Sequence, residues 1–488
     1  MVDGGLRSQL SASIEPTRKR DWTIRQSVGP DLADLIEGYN ALKRNPDWVE
    51  DLCSVVDHQY RGLREPMHLA VCSAITSSLP PVPYGLRPFR ANLNTLLVGS
   101  PGSGKGVAMD ILLALCTHAI EYGVGSSAAL QGSMDKFGWV PGKAYEAKRH
   151  LLLIRELLQS TRRGEHFQDL PLDLNESLEY PHRVMKRLAS FGFSQQGKIN
   201  SAAKLYPDVK FARNEFGYSS PFSVVAGTFI QNMQYFRSRV SEGFLNRFVI
   251  AGIEYDIDQA QLSVRNFWEQ IAREDNGINK EQLEYFRKCF KALYWTSTEF
   301  AKVIDREPIR LIELPDRHRR IFADESVNAV RESFEQVSSA SRSNPPLLFR
   351  ACQDLYRIAL ADAVSRRFSE TETSPGVITI DDRATEAALT FLPAMVKNNT
   401  WLMKEVSTPS PAPIVPEAQS FWEEFRIIHN YGAYHGLTES EFSGICTYEG
   451  IGRERSKKRL DSLVKNKLVE RDQNGRLFSH VRRLMMQG

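Results

Sequence analysis

The chain has 488 residues, of which 42% are hydrophobic and 25% are charged, and its formal net charge is +3. This composition is typical of a globular protein, and the length allows two or three domains. The longest apolar run, Ile111–Cys116, is too short to span a bilayer, and the first residues lack the apolar core of a signal peptide. The six cysteines are scattered without a CxxC pair, which predicts reduced thiols, no structural zinc and a cytoplasmic location.

Composition and apolar periodicity divide the chain into six parts. In the middle of the chain, apolar β-type runs alternate with helical stretches, which predicts an α/β fold with a parallel sheet and crossover helices. Four prolines within Ser407–Pro416 predict an extended linker. The predicted parts are a disordered basic tail (1–22), a helical amino-terminal segment (23–88), an α/β core (89–260), a helical region (261–402), a proline-rich linker (403–416) and a small carboxyl-terminal domain (417–488).

A GxxxxGK segment between an apolar strand and an apolar helix is typical of a phosphate-binding loop. Leu96–Val98 supplies the strand, the glycines let several N–H groups face one point, and Lys105 reaches the terminal phosphates. A helix over 107–119 completes the anion site with its positive end. We therefore expect the chain to bind ATP. The predicted nucleotide-binding residues are Gly99, Ser100, Pro101, Gly102, Ser103, Gly104, Lys105, Gly106 and Val107.

The residue after the lysine departs from the usual loop. A serine or threonine is usual there, because its hydroxyl holds the Mg²⁺ that accompanies ATP. In this chain the position is Gly106. ATP and Mg²⁺ are the expected ligands, the metal-binding residues are not assigned, and the efficiency of hydrolysis is open.

Two further apolar strands end in residues that suit ATP hydrolysis. Leu151–Ile154 leads into Arg155 and Glu156, which places Glu156 as a catalytic carboxylate at a strand end. The same pair also suits the start of a solvated helix, and Arg155 stands where an acid usually contacts the magnesium shell. The strand over 222–226 is followed by Thr228, which suits a polar sensor of the phosphate.

Arginines provide the positive charge that phosphoryl transfer needs. Arg247 comes directly before an apolar strand, where its guanidinium could bridge phosphate oxygens or lie on the surface. Arg350 and Arg357 lie on one face of an amphipathic helix over 349–361 because they are seven residues apart. Residues 377–382 lead into a final helix.

The order of these segments resembles the minichromosome-maintenance (MCM) helicases. Leu245–Phe248 is similar to their Leu-Ser-Arg-Phe arginine-finger segment, Arg350–Ala361 to their second-sensor helix, and 377–382 to the start of their last lid helix. The segment Gly-Phe-Leu-Asn-Arg-Phe (243–248) makes the chain more similar to the MCM-like AAA+ proteins of bacterial mobile elements and prophages than to the MCM helicases themselves. The resemblance covers roughly residues 65–400.

This resemblance implies a P-loop AAA+ sheet with a helical lid in a ring of identical subunits, with a hexamer expected. It implies that Arg247 reaches into the neighbouring subunit's site and that Arg350 contacts the γ-phosphate as second sensor. Pro-Gly-Ser-Gly-Lys-Gly also resembles the loop of adenylate kinases, where glycine follows the lysine and the metal is held largely through water. Those kinases have threonine after that glycine, whereas this chain has Val107.

Residues 417–488 have the pattern of a winged helix. The first helix is expected over 421–428, a Thr438–Glu441 capping box starts the second, and the third covers 452–468. A hairpin with a type I′ turn at Asn474-Gly475 forms the wing. Residues 451–484 contain eleven Lys or Arg against four Asp or Glu, which predicts DNA binding through phosphates, with a protein-binding winged helix as the alternative. The predicted DNA-binding residues are Arg453, Arg455, Lys457, Lys458, Arg459 and Arg476.

Together these patterns predict an ATP-dependent DNA-binding protein, a helicase or replication initiator of a mobile element that works with other replication or mobile-element proteins. Lys198, Lys204 and Lys210 lie between the acid strand and the sensor strand, where related helicases carry a DNA-contacting hairpin. Two alternatives stay open. One is a protein that binds nucleotide but hydrolyses it weakly or not at all, and the other is a regulator whose winged helix binds a protein.

Overall fold

The structure is a computed structural model, and its described residues form two compact units, 1–407 and 408–488. The predicted basic tail, 1–22, lies outside the described residues. No helix among the described residues is long and apolar enough to cross a membrane. The described residues are 32–79, 83–84, 87–88, 91–100, 102–123, 127–135, 138–157, 174, 177–178, 183–187, 203–212, 215–229, 244–253, 261, 265, 279–297, 299–304, 306–336, 346–368, 376–407, 424–425, 427–428, 436–448, 453–465 and 468–479.

The described part of the first unit contains both helices and strands. Its helices are α1 (Leu32–Arg44), α2 (Trp48–Gln59), α3 (Arg64–Ser77), α4 (Lys105–Leu115), α5 (Ser127–Gln131), α6 (Lys143–Glu146), α7 (Lys280–Thr296), α8 (Asp316–Gln336), α9 (Pro346–Arg366), α10 (Asp382–Leu389) and α11 (Leu392–Ser407). Its strands are β1 (Pro83–Tyr84), β2 (Arg87–Pro88), β3 (Thr95–Gly99), β4 (Ala119–Glu121), β5 (Gly132–Asp135), β6 (Gly138–Pro141), β7 (Leu151–Ile154), β8 (Arg183–Arg187), β9 (Lys210–Ala212), β10 (Glu215–Ser219), β11 (Ser223–Phe229), β12 (Val249–Ile253), β13 (Leu311–Glu313) and β14 (Val377–Thr379). Two 3₁₀ turns cover Leu245–Arg247 and Glu299–Ile304.

A five-stranded sheet forms the centre of the first unit, with the strand order β12-β3-β11-β7-β4. All of its neighbouring strands are parallel. Parallel strands need crossover connections, which place helices on the faces of the sheet and bury it. The structure therefore confirms the predicted parallel α/β sheet.

Apolar side chains on both faces of the sheet are buried. Leu97 and Leu153 belong to one hydrophobic cluster, which also includes residues of α2, α3, α4, α7 and α9. Their chain neighbours Leu96 and Leu152 belong to a second cluster on the other face. The alternation follows from the two-residue period of a strand, and it explains why these strands are continuous apolar runs.

The amino-terminal helices belong to the core of the first unit. Every residue of α3 from Pro66 to Ser77 except His68 is buried, as expected for a helix that is packed on all sides. In α2, the indole Nε1 of Trp48 donates to the carbonyl of Ser365 in α9 over 3.3 Å. The Trp48 ring also packs edge-to-face on Phe290 of α7, with centroids 4.9 Å apart. The amino-terminal segment and the later helices therefore fold together.

The region predicted as mostly helical also contains a small sheet. β13 pairs in parallel with β14, in the register Leu311↔Val377. The sequence did not indicate these strands because each has only three residues, too few for a two-residue period to stand out. The last helix, α11, continues to Ser407 and so covers the first residues of the predicted linker.

Buried histidine and arginine side chains occupy the amino edge of the sheet near β4 and β7. Arg149, at φ 60°, donates through its guanidinium to the carbonyl of Ser78 and over 3.1 Å to the Ser297 hydroxyl, at the carboxyl ends of α3 and α7. These helix ends carry partial negative charge, which offsets the charge of the guanidinium. His118 stacks on Tyr294, and burial, assisted by nearby positive charge, lowers the pKa of His118 to about 3. This edge therefore joins helices to the sheet through polar contacts.

In the described part of the second unit, residues 439–479 form two helices followed by a hairpin. They are α12 (Glu439–Tyr448), α13 (Arg453–Lys465), β15 (Val469–Arg471) and β16 (Leu477–Ser479). The predicted capping box is confirmed, because the N–H of Thr438 donates to Glu441 Oε2 over 2.8 Å and the N–H of Glu441 donates to Thr438 Oγ1 over 3.2 Å. Leu437 forms a bridge with Leu477, beside the hairpin.

The predicted type I′ turn of this hairpin is wrong. A type I′ turn needs positive φ at both Asn474 and Gly475, but of this pair only Gly475 has it, at 75°. The carboxylate of Asp472 accepts hydrogen bonds from the N–H groups of Asn474 (2.9 Å) and Arg476 (2.8 Å). An Asp side chain that bonds its own turn stabilises a longer loop, and the Asn-Gly signal alone did not include it.

Candidate functional site

The loop after β3 has the backbone of an anion-binding turn. Gly102 and Gly104 have φ of 80° and 87°, a conformation that other residues adopt only with strain. At Gly99 a Cβ atom would lie 2.4 Å from Ser103 Oγ and 3.0 Å from the carbonyl oxygen of Ile253, so a larger residue would require the loop to shift. α4 begins directly after Gly104, so the positive end of the helix faces the loop.

The lysine of the loop is almost fully buried. Lys105 Nζ donates to the carbonyls of Gly99 over 2.7 Å and Ser100 over 2.9 Å. It also lies 4.4 Å from the centre of the Phe229 ring, at the end of β11. Burial lowers the pKa of Lys105, and the negative charge of Glu156 opposes that effect. The ammonium group is therefore held at the loop, beside the end of the neighbouring strand.

The space beside Gly106 is open. Gly106 is the second residue of α4, and a Cβ atom built there would meet nothing within 4 Å. A serine or threonine would fit without displacing other atoms. The missing hydroxyl is thus a property of the sequence and not a consequence of crowding. Val107 follows in the same helix, and Pro101 lies outside the described residues.

The predicted acid and the predicted sensor lie together. β11 lies between β3 and β7, and Thr228 Oγ1 donates to Glu156 Oε1 over 3.5 Å. Leu157 N donates to the carbonyl of Gly227 over 2.9 Å, which fixes the chain directly after Glu156. Thr228 is fully buried, whereas Glu156 is partly exposed. The strand order thus brings Lys105, Thr228 and Glu156 to one end of the sheet.

Arg155 is paired with two carboxylates. Its guanidinium donates to Asp110 of α4 over 2.5 Å and to Glu121 of β4. Hydrogen bonds to Asp110 and then Glu121 raise the pKa of Arg155. All three side chains are at least a third exposed, so the pairs add little to stability. The positive charge at the position next to Glu156 is therefore offset by acids on neighbouring elements.

The donor set around the loop suits a magnesium ion that keeps most of its water. Among the described residues, no group of three or more His, Cys, Asp or Glu side chains is placed to hold a metal ion. Glu156 supplies a carboxylate close enough to influence Lys105. Mg²⁺ is commonly held by one or two carboxylates, water and substrate phosphates. A Mg²⁺ ion bound with ATP would therefore be held here mainly by water and the phosphates.

Arg247 lies at the other end of the sheet from the phosphate loop. β12 runs parallel to β3 with Val249 opposite Thr95 and Ile253 opposite Gly99, and the 3₁₀ turn that contains Arg247 precedes β12. The carbonyl of Arg247 is bonded to Asn94, and five residues of nearly extended chain separate Asn94 from Gly99, or about 16 Å. No side chain spans this distance, so the structure does not bring Arg247 to the loop of its own chain.

Of the two arginines of α9, the structure describes the side chain of Arg357 but not that of Arg350. Arg350 lies in the first turns of the helix, but its side chain is outside the described part, so its predicted contact with phosphate is untested. Arg357 is buried, with its side chain 3% exposed, and pairs with Asp354 of the same helix. Arg357 therefore has a structural contact inside the first unit.

A cavity begins beside the strand that leads into the loop. It has a volume of about 120 Å³. A wider groove of about 490 Å³ shares Lys397 and Trp401 with it and continues between α8 and α11. Gly99, the first residue of the loop, follows Val98 directly, so the small cavity is adjacent to the predicted phosphate-binding loop. The lining residues of the small cavity are Val98, Ile250, Gly252, Ile253, Lys397, Asn398 and Trp401.

The basic residues of the second unit have different environments. Lys457 and Lys458 of α13 are exposed. Arg459 Nη1 lies 3.2 Å from both carboxylate oxygens of Glu424, which is fully buried. Arg476 Nη1 donates to the carbonyl of Gly436 over 3.2 Å. The side chains of Arg453 and Arg455 lie outside the described part of this unit.

Two of the three lysines predicted near a DNA-contacting hairpin are described. Lys204 and Lys210 are exposed, and Lys210 begins β9, which pairs with β10 in an antiparallel hairpin. Lys198 lies outside the described residues. Trp139 packs against five aromatic rings, including Phe211 of β9 and Phe216 of β10. The hairpin is therefore attached to the core through aromatic contacts.

Sequence reasoning missed Phe229, the acids that hold Arg155, and Asn94. Phe229 directly follows Thr228, and only the parallel register of β3 and β11 shows that its ring lies below Lys105 Nζ. The partners of Arg155 are 34 and 45 residues away in the chain, beyond any local pattern. Asn94 contacts the segment of Arg247. No protein-family model matches this chain, and comparison with the curated proteins likewise gave no match.

Proposed function

We propose that the chain is an ATP-hydrolysing AAA+ protein that binds DNA and assembles as a ring of identical subunits, of the helicase or replication-initiator type of mobile elements. The placement of Thr228 and Glu156 beside Lys105, at the carboxyl ends of the adjacent parallel strands β11 and β7, is the observation that carries the proposal. ATP hydrolysis requires a phosphate-binding loop, an acid that orients water and a polar sensor, which here are the loop with Lys105, Glu156 and Thr228.

Each of these residues has a separate task in the proposed reaction. The N–H groups of the loop and Lys105 bind the β- and γ-phosphates, and Glu156 accepts a hydrogen bond from the attacking water and orients it toward the γ-phosphorus. The Thr228 hydroxyl bonds to Glu156 and limits the positions of its carboxylate. Bound Mg²⁺ supplies positive charge to the phosphates. The cavity beside Val98 is next to the loop and suits the apolar part of the nucleoside.

The position of Arg247 supports assembly of several subunits. At about 16 Å along the sheet from its own loop, Arg247 cannot contact the nucleotide of its own chain. In a ring, the amino edge of one sheet would face the phosphate site of the next subunit. Arg247 would then offset the charge that develops on the γ-phosphate of its neighbour.

The second unit supports the DNA-binding part of the proposal. The described helices α12 and α13 and the hairpin, around a small core, agree with a winged helix, and α13 would enter the major groove. Lys457 and Lys458 are exposed on α13, where they can reach phosphates. Arg459 is held by Glu424, so its main role in the proposal is to support α13.

The proposal is tested by measuring phosphate release from ATP by the full chain, alone and with single-stranded or duplex DNA. We expect turnover that increases with DNA, and DNA affinity that falls as salt rises. Lys457→Ala together with Lys458→Ala should reduce the salt dependence of binding by up to about two released ions. Glu454→Ala, on the same exposed face of α13, is the matched control and should not weaken binding.

Two results would favour the other functions. Tight ATP binding without turnover would indicate a nucleotide-dependent DNA-binding protein, an alternative that Gly106 and Arg155 favour because neither supplies an oxygen to magnesium. Failure to retain DNA even at low salt would indicate that the second unit binds a protein.

A further inference from the structure

Asn94 connects three strands at the amino edge of the sheet. It directly precedes β3 and is 2% exposed. Its side-chain Oδ1 accepts a hydrogen bond from Val224 N of β11 over 2.9 Å, and Nδ2 donates to the carbonyl of Arg247 over 2.9 Å. Its own carbonyl accepts from Val249 N of β12 over 2.8 Å. One buried side chain thus bonds to the start of β11 and to the segment before β12.

The contact with Arg247 lies outside the regular ladder of the sheet. The ladder between β12 and β3 begins at Val249. Before it, the 3₁₀ turn is closed by Arg247 N donating to Phe244 O over 3.2 Å and by Phe248 N donating to Leu245 O over 3.1 Å. Phe244 and Leu245 are fully buried, which anchors the start of the turn. The amide of Asn94 therefore fixes the peptide of Arg247 relative to the strand that ends in the phosphate loop.

We infer that Asn94 is a positioning residue for Arg247. It fixes the position of the Arg247 backbone relative to β3, and thereby the direction from which the Arg247 side chain approaches the nucleotide of a neighbouring subunit. The inference rests on the proposed function, in which Arg247 acts across a subunit boundary. The strands that Asn94 joins carry the phosphate loop, Thr228 and Arg247. Each subunit would use its Asn94 to hold the Arg247 that it provides to the site of a neighbour. Its own nucleotide site lies at the opposite edge of the sheet.

The inference predicts a loss of turnover with nucleotide binding retained. Asn94→Leu has a similar size but neither donates to Arg247 O nor accepts from Val224 N. Because misplacing a reacting group by about 1 Å can cost about 100-fold, we expect kcat to fall by about 10- to 100-fold. KM for ATP should change little, because the phosphate loop lies at the other end of β3.

Asn92→Leu is the matched control. Asn92 is 5% exposed at the same edge, and its Nδ2 donates to Ser223 Oγ over 3.4 Å and to Thr76 O over 3.5 Å. These bonds do not involve the turn of Arg247, so kcat should stay within about threefold of the wild type, the range of a small loss in packing. Asn94→Ser is the milder second variant, for use if Asn94→Leu does not fold, and it should also lower kcat.

Mixing subunits separates positioning from general damage. Lys105→Ala chains lack the phosphate-binding lysine but keep an intact Arg247 segment, whereas Asn94→Leu chains keep an intact loop. When the two are mixed, interfaces that combine the intact loop of one with the intact arginine segment of the other should regain ATP turnover. Either variant alone should show less than a tenth of wild-type turnover, the lower bound of the expected loss.

Three results would overturn the inference. A separate control, Arg247→Ala, tests the proposed function on which the inference rests. Wild-type kcat in Asn94→Leu or Asn94→Ser would show that Arg247 does not depend on Asn94. An equal loss in Asn92→Leu, or no recovery on mixing, would show that Asn94 serves the stability of its own sheet. Arg247→Ala with unchanged turnover would instead contradict the proposed function, because Arg247 itself would then be dispensable.

Discussion

The open space beside Gly106 allows the missing hydroxyl to be restored with a matched control. Gly106→Ser adds a hydroxyl at the position that usually contacts magnesium, and Gly106→Ala adds only the carbon atom. A Cβ atom at this residue would meet nothing within 4 Å, and the residue lies in the first turn of α4. Both variants should therefore fold, and Gly106→Ala should gain about 0.5–1 kcal/mol in free energy of unfolding.

The two variants should differ in their use of magnesium. A contact between a neutral oxygen and a charged group contributes on the order of 1.5 kcal/mol, which corresponds to about a tenfold change in affinity. We therefore expect Gly106→Ser to reach half-maximal ATP turnover at about one tenth of the Mg²⁺ concentration that the wild type needs. Gly106→Ala should follow the wild-type titration.

The assay is phosphate release at fixed ATP while Mg²⁺ is titrated, with thermal unfolding measured in parallel. Superimposable titrations of Gly106→Ser and Gly106→Ala would contradict this expectation, because the hydroxyl would then not reach the metal. That result would place the limit on hydrolysis elsewhere, for example at Arg155. Loss of activity in both variants would show that the glycine itself is required.

Three further substitutions test particular contacts of the structure. His118 has a pKa of about 3 in the folded chain, against 6.5 for an ordinary histidine. As pH falls, the unfolded chain therefore takes up a proton at His118 before the folded chain does. The stability due to neutral His118 is lost as pH falls from 6.5 toward 3. Urea unfolding at pH 7 and pH 5 should show the wild type losing about 2 kcal/mol more than His118→Gln, and equal losses would contradict the burial of a neutral imidazole. Arg459→Ala leaves the buried carboxylate of Glu424 without its guanidinium and should lower the free energy of unfolding of the second unit by about 3 kcal/mol. The control Lys458→Ala should change it by less than about 0.5 kcal/mol. Comparable effects of the two substitutions would show that the Arg459–Glu424 pair is not structural. Gly227→Ala would bring a Cβ atom to 2.5 Å from the carbonyl of Arg155, so thermal unfolding should show a loss of about 2 kcal/mol, and an unchanged midpoint would mean that β11 and β7 are not packed this closely.

The sequence predicted the parts of the site well where local patterns determine them. The strand Leu151–Ile154 was predicted with its observed bounds because an apolar run changes abruptly to Arg155-Glu156. The loop was predicted because its glycines and lysine have fixed spacing, and the capping box because its two partners are three residues apart. These features depend on neighbours in the chain.

Features that depend on the order of strands were not predictable. An apolar run indicates a buried strand but does not say which strands lie beside it. That β11 lies between β3 and β7 determines the contact of Thr228 with Glu156 and of Phe229 with Lys105. The same limit applies to Asn94, whose partners Val224 and Arg247 are 130 and 153 residues away.

In the proposed reaction, Glu156 activates water for ATP hydrolysis beside Lys105. The most direct test of this role compares ATP binding and turnover by the wild-type chain and Glu156→Gln, a variant of the same size that cannot accept a proton. We expect Glu156→Gln to bind ATP with Mg²⁺ but to hydrolyse it about 10² to 10⁴ times more slowly. Turnover by Glu156→Gln equal to that of the wild type, or binding by the wild-type chain without turnover, would contradict the claim.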